Sequence, residues 1–118
     1  MAATERLICS GKALVEQSRG VRFALPEHGE QVTGFVVRYN GQPYGYVNSC
    51  AHVPVELDWQ EGDFFDLTGH YLMCATHGAH YDPSSGHCVM GPCKGKRLQS
   101  LDVRERDGNI YLIRNPKE

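Results

Sequence analysis

No apolar run in this 118-residue chain is longer than a few positions, which excludes a bilayer-spanning helix of about 20 apolar residues. The first residues, MAATERLICSGKALVEQ, scatter charge through the segment and leave no apolar stretch for a secretory signal or an anchor. A soluble, cytoplasmic protein is expected. Charge of one sign is also lacking: twelve Lys plus Arg stand against fourteen Asp plus Glu, a net of −2. No basic strip therefore invites nucleic acid. Sustained helical periodicity, internal repeats, low-complexity tracts and linkers are absent too, and the length fits one domain spanning residues 1–118. Five cysteines, an odd number, fit poorly with a fully paired extracellular scaffold.

What is present is strand-forming. Thr33 to Tyr39 and Tyr44 to Val47 are rich in Val, Phe and Tyr, and Asn40-Gly41 between them is a hairpin signal. Pro43 is expected to keep the start of the second strand at an edge. Leu101 to Arg106 and Asn109 to Ile113 flank Asp107-Gly108, a second signal of the same kind. Gly20 to Leu25, Tyr71 to Met73 and Cys88 to Met90 are shorter candidates, and Ala13 to Gln17 is the one plausible helical turn. Thirteen glycines and six prolines punctuate the remainder, so an all-β domain is expected. Its two hairpins bracket a loop-rich middle.

That middle carries the chemistry. Four of the five cysteines and five of the six histidines lie between residues 50 and 93. Cys50 and His52 form a Cys-x-His pair, Cys74 and His77 a Cys-x-x-His pair, with 21 residues between them. Two Cys and two His could close a tetrahedral zinc site. A mixed pair from each loop also suits a [2Fe–2S] cluster in which one iron takes both thiolates and the other both imidazoles.

On these residues the chain resembles Rieske-type ferredoxins over about residues 45 to 113. Beyond the four ligands, Gly78 follows the second histidine, Tyr81-Asp82 lies downstream, and Gly91-Pro92 matches the loop that covers the cluster from a third side. The resemblance implies stacked small antiparallel sheets with a loop-rich cluster-binding part at about residues 45–95. It also implies one Rieske-type [2Fe–2S] cluster per chain, on Cys50, His52, Cys74 and His77, with Gly78, Tyr81, Gly91 and Pro92 covering or tuning it. Neutral imidazoles in place of two thiolates lift the potential from about −400 mV into a range of about −150 to +300 mV.

Departures from the pattern narrow that range. Respiratory members carry an extra cysteine in each ligand loop, joined by a disulfide; the corresponding places here are Val55 and Thr76, so that bridge is lacking. Where they place a serine that donates to a sulfide, this chain has Ala79. Tyr81 remains as a donor, and the lower part of the range is expected. Cys88 and Cys93 flank the Gly-Pro loop and are read as small apolar fillers rather than a disulfide or a cluster shield. Cys9 is read as a buried strand residue, and His80 and His87 as surface histidines. Glu56, Asp58, Glu61, Asp63 and Asp66, with Lys94, Lys96 and Arg97, are read as solvated charge rather than docking faces, and Trp59 as core.

The implied function is a soluble one-electron carrier with no catalytic residues of its own. It would take electrons from a reductase and pass them to a terminal oxygenase or similar enzyme, without a small-molecule substrate. The alternative is a cluster-bearing accessory or regulatory small subunit of a larger oxidoreductase, similar to the nitrite reductase small subunit.

Overall fold

The computed structural model describes residues 4–51, 55–58, 60–75, 78–91, 93 and 95–114. Ten strands run through them in chain order: β1 (Thr4–Ser10), β2 (Val21–Ala24), β3 (Thr33–Tyr39), β4 (Gln42–Val47), β5 (Leu72–Met73), β6 (His80–Tyr81), β7 (Cys88–Met90), β8 (Ser100–Leu101), β9 (Val103–Arg106) and β10 (Asn109–Arg114). They form three antiparallel sheets, ordered β1-β10-β9, β2-β3-β4-β8 and β5-β6-β7. The expected all-β fold of small stacked sheets is the observed one.

Both hairpins fall where their turn residues place them. Tyr39 pairs with Gln42 across Asn40 (φ 52°) and Gly41 (φ 76°). Arg106 pairs with Asn109 across Asp107 (φ 52°) and Gly108 (φ 79°). Two consecutive positive φ values define the turn whose twist matches the strands it joins, and Asn, Asp and Gly reach them at least cost. Pro43 lies outside the β8 ladder, which pairs only with Gly45 and Tyr46.

Strand β3 reads as a continuous apolar run because both its faces are covered. Phe35 and Val37 join Tyr46, Leu57, Phe64, Leu72, Tyr81 and Leu98 in the core beneath the small β5-β6-β7 sheet. Val36 faces the other way, into a second core with Leu14, Phe23, Leu25, Val47, Ile110 and Leu112. Phe35 stacks on Phe64 at a centroid distance of 3.9 Å, which ties the middle segment to the main sheet.

The expected helical turn at Ala13 to Gln17 is not there; a single 3-10 turn covers Gly11–Ala13 instead. Tertiary polar contacts hold this segment in place of helical bonds. Arg38 donates to the carbonyls of Gly11 and Leu14, while the Glu16 carboxylate accepts from the N–H groups of Asn40 and Gly41. Glu16 then bridges to Arg38 as extended chain. Cys9 lies in β1 opposite Ile110 but is half-buried rather than buried, beside a register shift between Leu7 and Cys9. The burial it has still raises its thiol pKa.

Candidate metal centre

Three loops of the middle segment converge. Asn48 anchors the first as β4 ends: its amide donates to Asp58 Oδ1 at 3.0 Å and its carbonyl accepts from Leu57 N–H at 2.9 Å. Asp58 also accepts from Gly62 N–H and faces Arg22 at 3.6 Å. Asn48 and Asp58 are the two buried polar residues among those described, and each is satisfied, as burial requires. Within this frame Cys50 N–H donates to the Val55 carbonyl at 2.8 Å.

The second loop leaves β5 and returns as β6. Cys74 N–H donates to the Ala79 carbonyl and Gly78 N–H to the Cys74 carbonyl, each at 2.8 Å. Gly78 has φ +71°, with open space where a Cβ would stand, so backbone conformation rather than crowding calls for glycine there. Ala75 N–H reaches across to the Leu57 carbonyl at 3.0 Å and joins this loop to the first.

The third loop, after β7, presses onto the second. A Cβ on Gly91 (φ +102°) would stand 3.0 Å from Ala79 Cα and 3.4 Å from the Gly78 carbonyl oxygen. Here close backbone approach and a left-handed φ both exclude a side chain.

Cys50 and Cys74 are 4% and 0% exposed and belong to one buried group with Ala79, Tyr81 and Cys93. The Tyr81 hydroxyl accepts from Ala51 N–H at 3.0 Å and lies 3.2 Å from Cys50 Sγ. A thiolate at Cys50 could only accept, and the hydroxyl proton would then point at the sulfur. Burial, then the contact with Cys50, raises the Tyr81 pKa, so the phenol keeps the proton that makes it a donor. Ala79 is fully buried and brings no hydroxyl. His52, His77 and Pro92 lie outside the described residues, as do Thr76, Trp59 and Lys94. Among the described residues no group of three or more His, Cys, Asp or Glu could hold a metal ion, and two of the four expected ligands are not among them.

Cys88 and Cys93 are disulfide-bonded, which corrects their reading as apolar fillers and the expectation of a chain lacking this kind of cross-link. The bridge is not the one between ligand loops; it spans the base of the third loop. Cys88 N–H donates to the Lys96 carbonyl and Lys96 N–H to the Cys93 carbonyl, folding the chain back until the two Cα atoms are 5.7 Å apart, within bonding reach. Spacing alone does not reveal such a return, although the Gly-Pro pair between the cysteines is a turn signal.

His80, expected as a surface residue, is half-buried and bridges two loops. Its Nδ1–H donates to the Gly78 carbonyl at 2.8 Å, its Nε2 lies 3.5 Å from Asp66 Oδ2, and its ring meets Tyr71 edge-on. His87 is exposed and pairs with Arg97. The acidic segment is largely engaged in structure: Glu56 holds Arg22 and Thr33, Asp58 is buried, and Asp66 caps its own turn at Thr68 and Gly69. Asn48, Asp58 and the bridging role of His80 had no sequence signal, because Asn48 bonds Asp58 across 10 residues, Asp58 faces Arg22 from 36 residues away, and His80 meets Asp66 14 residues away and a backbone carbonyl.

The donor set fits a [2Fe–2S] cluster. Two buried cysteines outside the disulfide stand on converging loops, a phenol hydroxyl lies beside one sulfur, and the third loop closes over the second loop. Among the described residues no helix is long and apolar enough to cross a membrane.

The family model described as the Rieske [2Fe-2S] domain matches residues 8–114. Among solved structures, the ferredoxin of carbazole 1,9a-dioxygenase from Nocardioides aromaticivorans IC177 superposes with a TM-score of 0.72 at 20% identity, over 92% of this chain and 96% of that one. The Sphingomonas yanoikuyae B1 ferredoxin gives 0.71 at 19% identity, over 96% of this chain and 100% of that one. The terminal oxygenase of the Nocardioides enzyme gives 0.77 at 18% identity, over 99% of this chain but 32% of the oxygenase. At these identities the likeness is one of fold. A search of the curated proteins finds no match.

Proposed function

Because the chain belongs to the Rieske [2Fe–2S] domain family, whose cofactor is one [2Fe–2S] cluster per chain, we propose that it is a soluble one-electron carrier. It would take electrons from a reductase and deliver them to a terminal oxygenase or a similar redox enzyme. When bound, the cluster supplies a single-electron couple; this chain's residues hold it, dry it and set its potential. Cys50 and Cys74 would hold one iron as thiolates, and His52 and His77 would hold the other through one ring nitrogen each. Tyr81 donates to Cys50 Sγ. Gly78, Gly91 and Pro92 would shape the loops that keep water out, and the free ring nitrogens of the two histidine ligands would be the route by which the electron leaves.

The observation that carries this reading is the pair of buried cysteines on converging loops, with the Tyr81 hydroxyl 3.2 Å from one of them. Support for the partner class comes from a solved complex of reduced oxygenase with oxidised ferredoxin in carbazole 1,9a-dioxygenase, whose matching chain gives a TM-score of 0.72 at 19% identity. The chain would act as a single domain over residues 1–118, with its cluster-binding part at about 45–95, in the cytoplasm. Electron paramagnetic resonance of the reduced protein tests the ligand set. A low average g, as nitrogen ligation gives, is expected, together with a midpoint in the lower part of the range of about −150 to +300 mV. A colourless protein holding zinc would refute it.

The likeness to about a third of an oxygenase chain favours one second reading, that the chain is a cluster-bearing accessory or regulatory subunit of a larger oxidoreductase. Co-purification with one large enzyme in fixed ratio would select it; electron transfer by the isolated chain between separately purified reductase and oxygenase would select the carrier.

A further inference from the structure

We propose that the Cys88–Cys93 disulfide is a reversible thiol switch on the loop that covers the candidate metal centre, and that its substrate partner is a dithiol protein of the thioredoxin class. The inference rests on reading the third loop as the cover of the second ligand loop.

Three observations carry it. The bridge joins the two ends of the segment whose Gly91 stands against the backbone of Gly78 and Ala79. The two sulfurs differ in access: Cys93 is fully buried, whereas Cys88 is half-buried in β7, between exposed neighbours in sequence. The same turn is also closed by backbone bonds, from Cys88 N–H to the Lys96 carbonyl and from Lys96 N–H to the Cys93 carbonyl. A disulfide laid over a hydrogen-bonded turn adds a covalent restraint at the base of the loop, which limits how far Gly91 can lift. In a reducing compartment, disulfides that form are usually transient and redox-sensing.

The exchange proceeds in two displacements. A thiolate of the dithiol protein attacks Cys88 Sγ, the accessible sulfur; the Cys88–Cys93 bond breaks, and Cys93 leaves as a thiolate and takes a proton. The second thiolate of the dithiol then attacks its own sulfur in the mixed disulfide, releasing Cys88 as a thiol. Two electrons and two protons pass to the cystine, and the dithiol protein ends as its disulfide. The oxidised dithiol protein reverses the sequence. With the bridge intact, the loop tip is pinned on Gly78 and Ala79. Once it is reduced, the described loop residues are held by backbone bonds alone, those of the β6–β7 ladder and those between Cys88, Lys96 and Cys93, and water gains access to the second ligand loop.

The cluster-loaded wild-type chain and a Cys88→Ser/Cys93→Ser variant are each incubated with and without reduced thioredoxin, then pulse-alkylated and followed by hydrogen exchange with peptide mapping. In the wild type, thioredoxin treatment is expected to expose two further alkylatable thiols, at Cys88 and Cys93, and to speed exchange at Gly78, Ala79, Met90 and Gly91 at least tenfold. The variant should exchange at the faster rate with or without thioredoxin, so any effect of reducing the iron itself shows in the variant and is subtracted. Failure of thioredoxin to open the bridge, or unchanged exchange after it opens, overturns the proposal. A chain without iron overturns the carrier reading instead, and the exchange comparison can be read on that chain as well.

Discussion

Tyr81 shows how much one side chain carries at this site. It is fully buried, accepts one backbone N–H, and its hydroxyl lies 3.2 Å from the Cys50 sulfur, to which it would donate once that sulfur is a ligand thiolate. A hydrogen bond to a ligand sulfur favours the more negative, reduced state. Tyr81→Phe should therefore lower the midpoint potential by tens of millivolts, a differential interaction of about 1.4 kcal/mol corresponding to about 59 mV for one electron. A redox titration with the potential unmoved would show that the hydroxyl does not reach the sulfur in solution. Asn48 is the structural counterpart. Asn48→Ala strips one bond from buried Asp58 and leaves the Leu57 N–H without its acceptor, and a buried donor left unmet costs about 1–3 kcal/mol. Denaturant unfolding should report a loss of about 2–3 kcal/mol.

Among the elements, the three loops depend on backbone geometry more than on side chains, and two glycines distinguish how. At Gly78 a methyl group meets nothing within 4 Å, so Gly78→Ala costs only the left-handed backbone, about 1–2 kcal/mol. At Gly91 the same change adds a contact of 3.0 Å to the backbone of Ala79, and the third loop must lift. The expected outcome is a modest loss of stability for the first variant and a several-fold faster bleaching of the visible spectrum in air for the second. Equal bleaching rates would mean that Gly91 does not seal the site. The hairpins Asn40-Gly41 and Asp107-Gly108 were legible because two adjacent residues determine such a turn. The turn at Gly11–Ala13 was not, because Arg38 and Glu16 decide it from other strands.

Across the whole molecule, paired carboxylates couple stability to pH. Arg38 holds Glu105 below its ordinary pKa by hydrogen bonding, and Ser84 does the same for Asp82. Burial works to raise Asp66, but hydrogen bonds from Thr68 and Gly69, with His80 nearby, keep it low. An unfolded chain would bind these protons more readily, so the stability they contribute is present above the ordinary carboxylate range of about 4 and is lost as the pH falls through the lower folded values. Thermal melting should show an unchanged midpoint from pH 7 to 5.5 and a falling one below about pH 4. A melting temperature that rises on acidification would contradict the pairings.

Composition and order along the chain by themselves determined the all-β class, both main hairpins and a loop-rich middle that carries Cys50 and Cys74. Each of these depends on residues adjacent in sequence or on donor chemistry a residue carries wherever it sits. Only the tertiary structure decided that Cys88 and Cys93 are bonded, that His80 links Gly78 to Asp66, and that Asn48 and Asp58 frame the first loop. Those outcomes depend on where a returning chain places an atom to within about 1 Å, and hydrogen-bond and disulfide geometry are that narrow. Hydrophobic patterning, which specifies only which face is covered, is not.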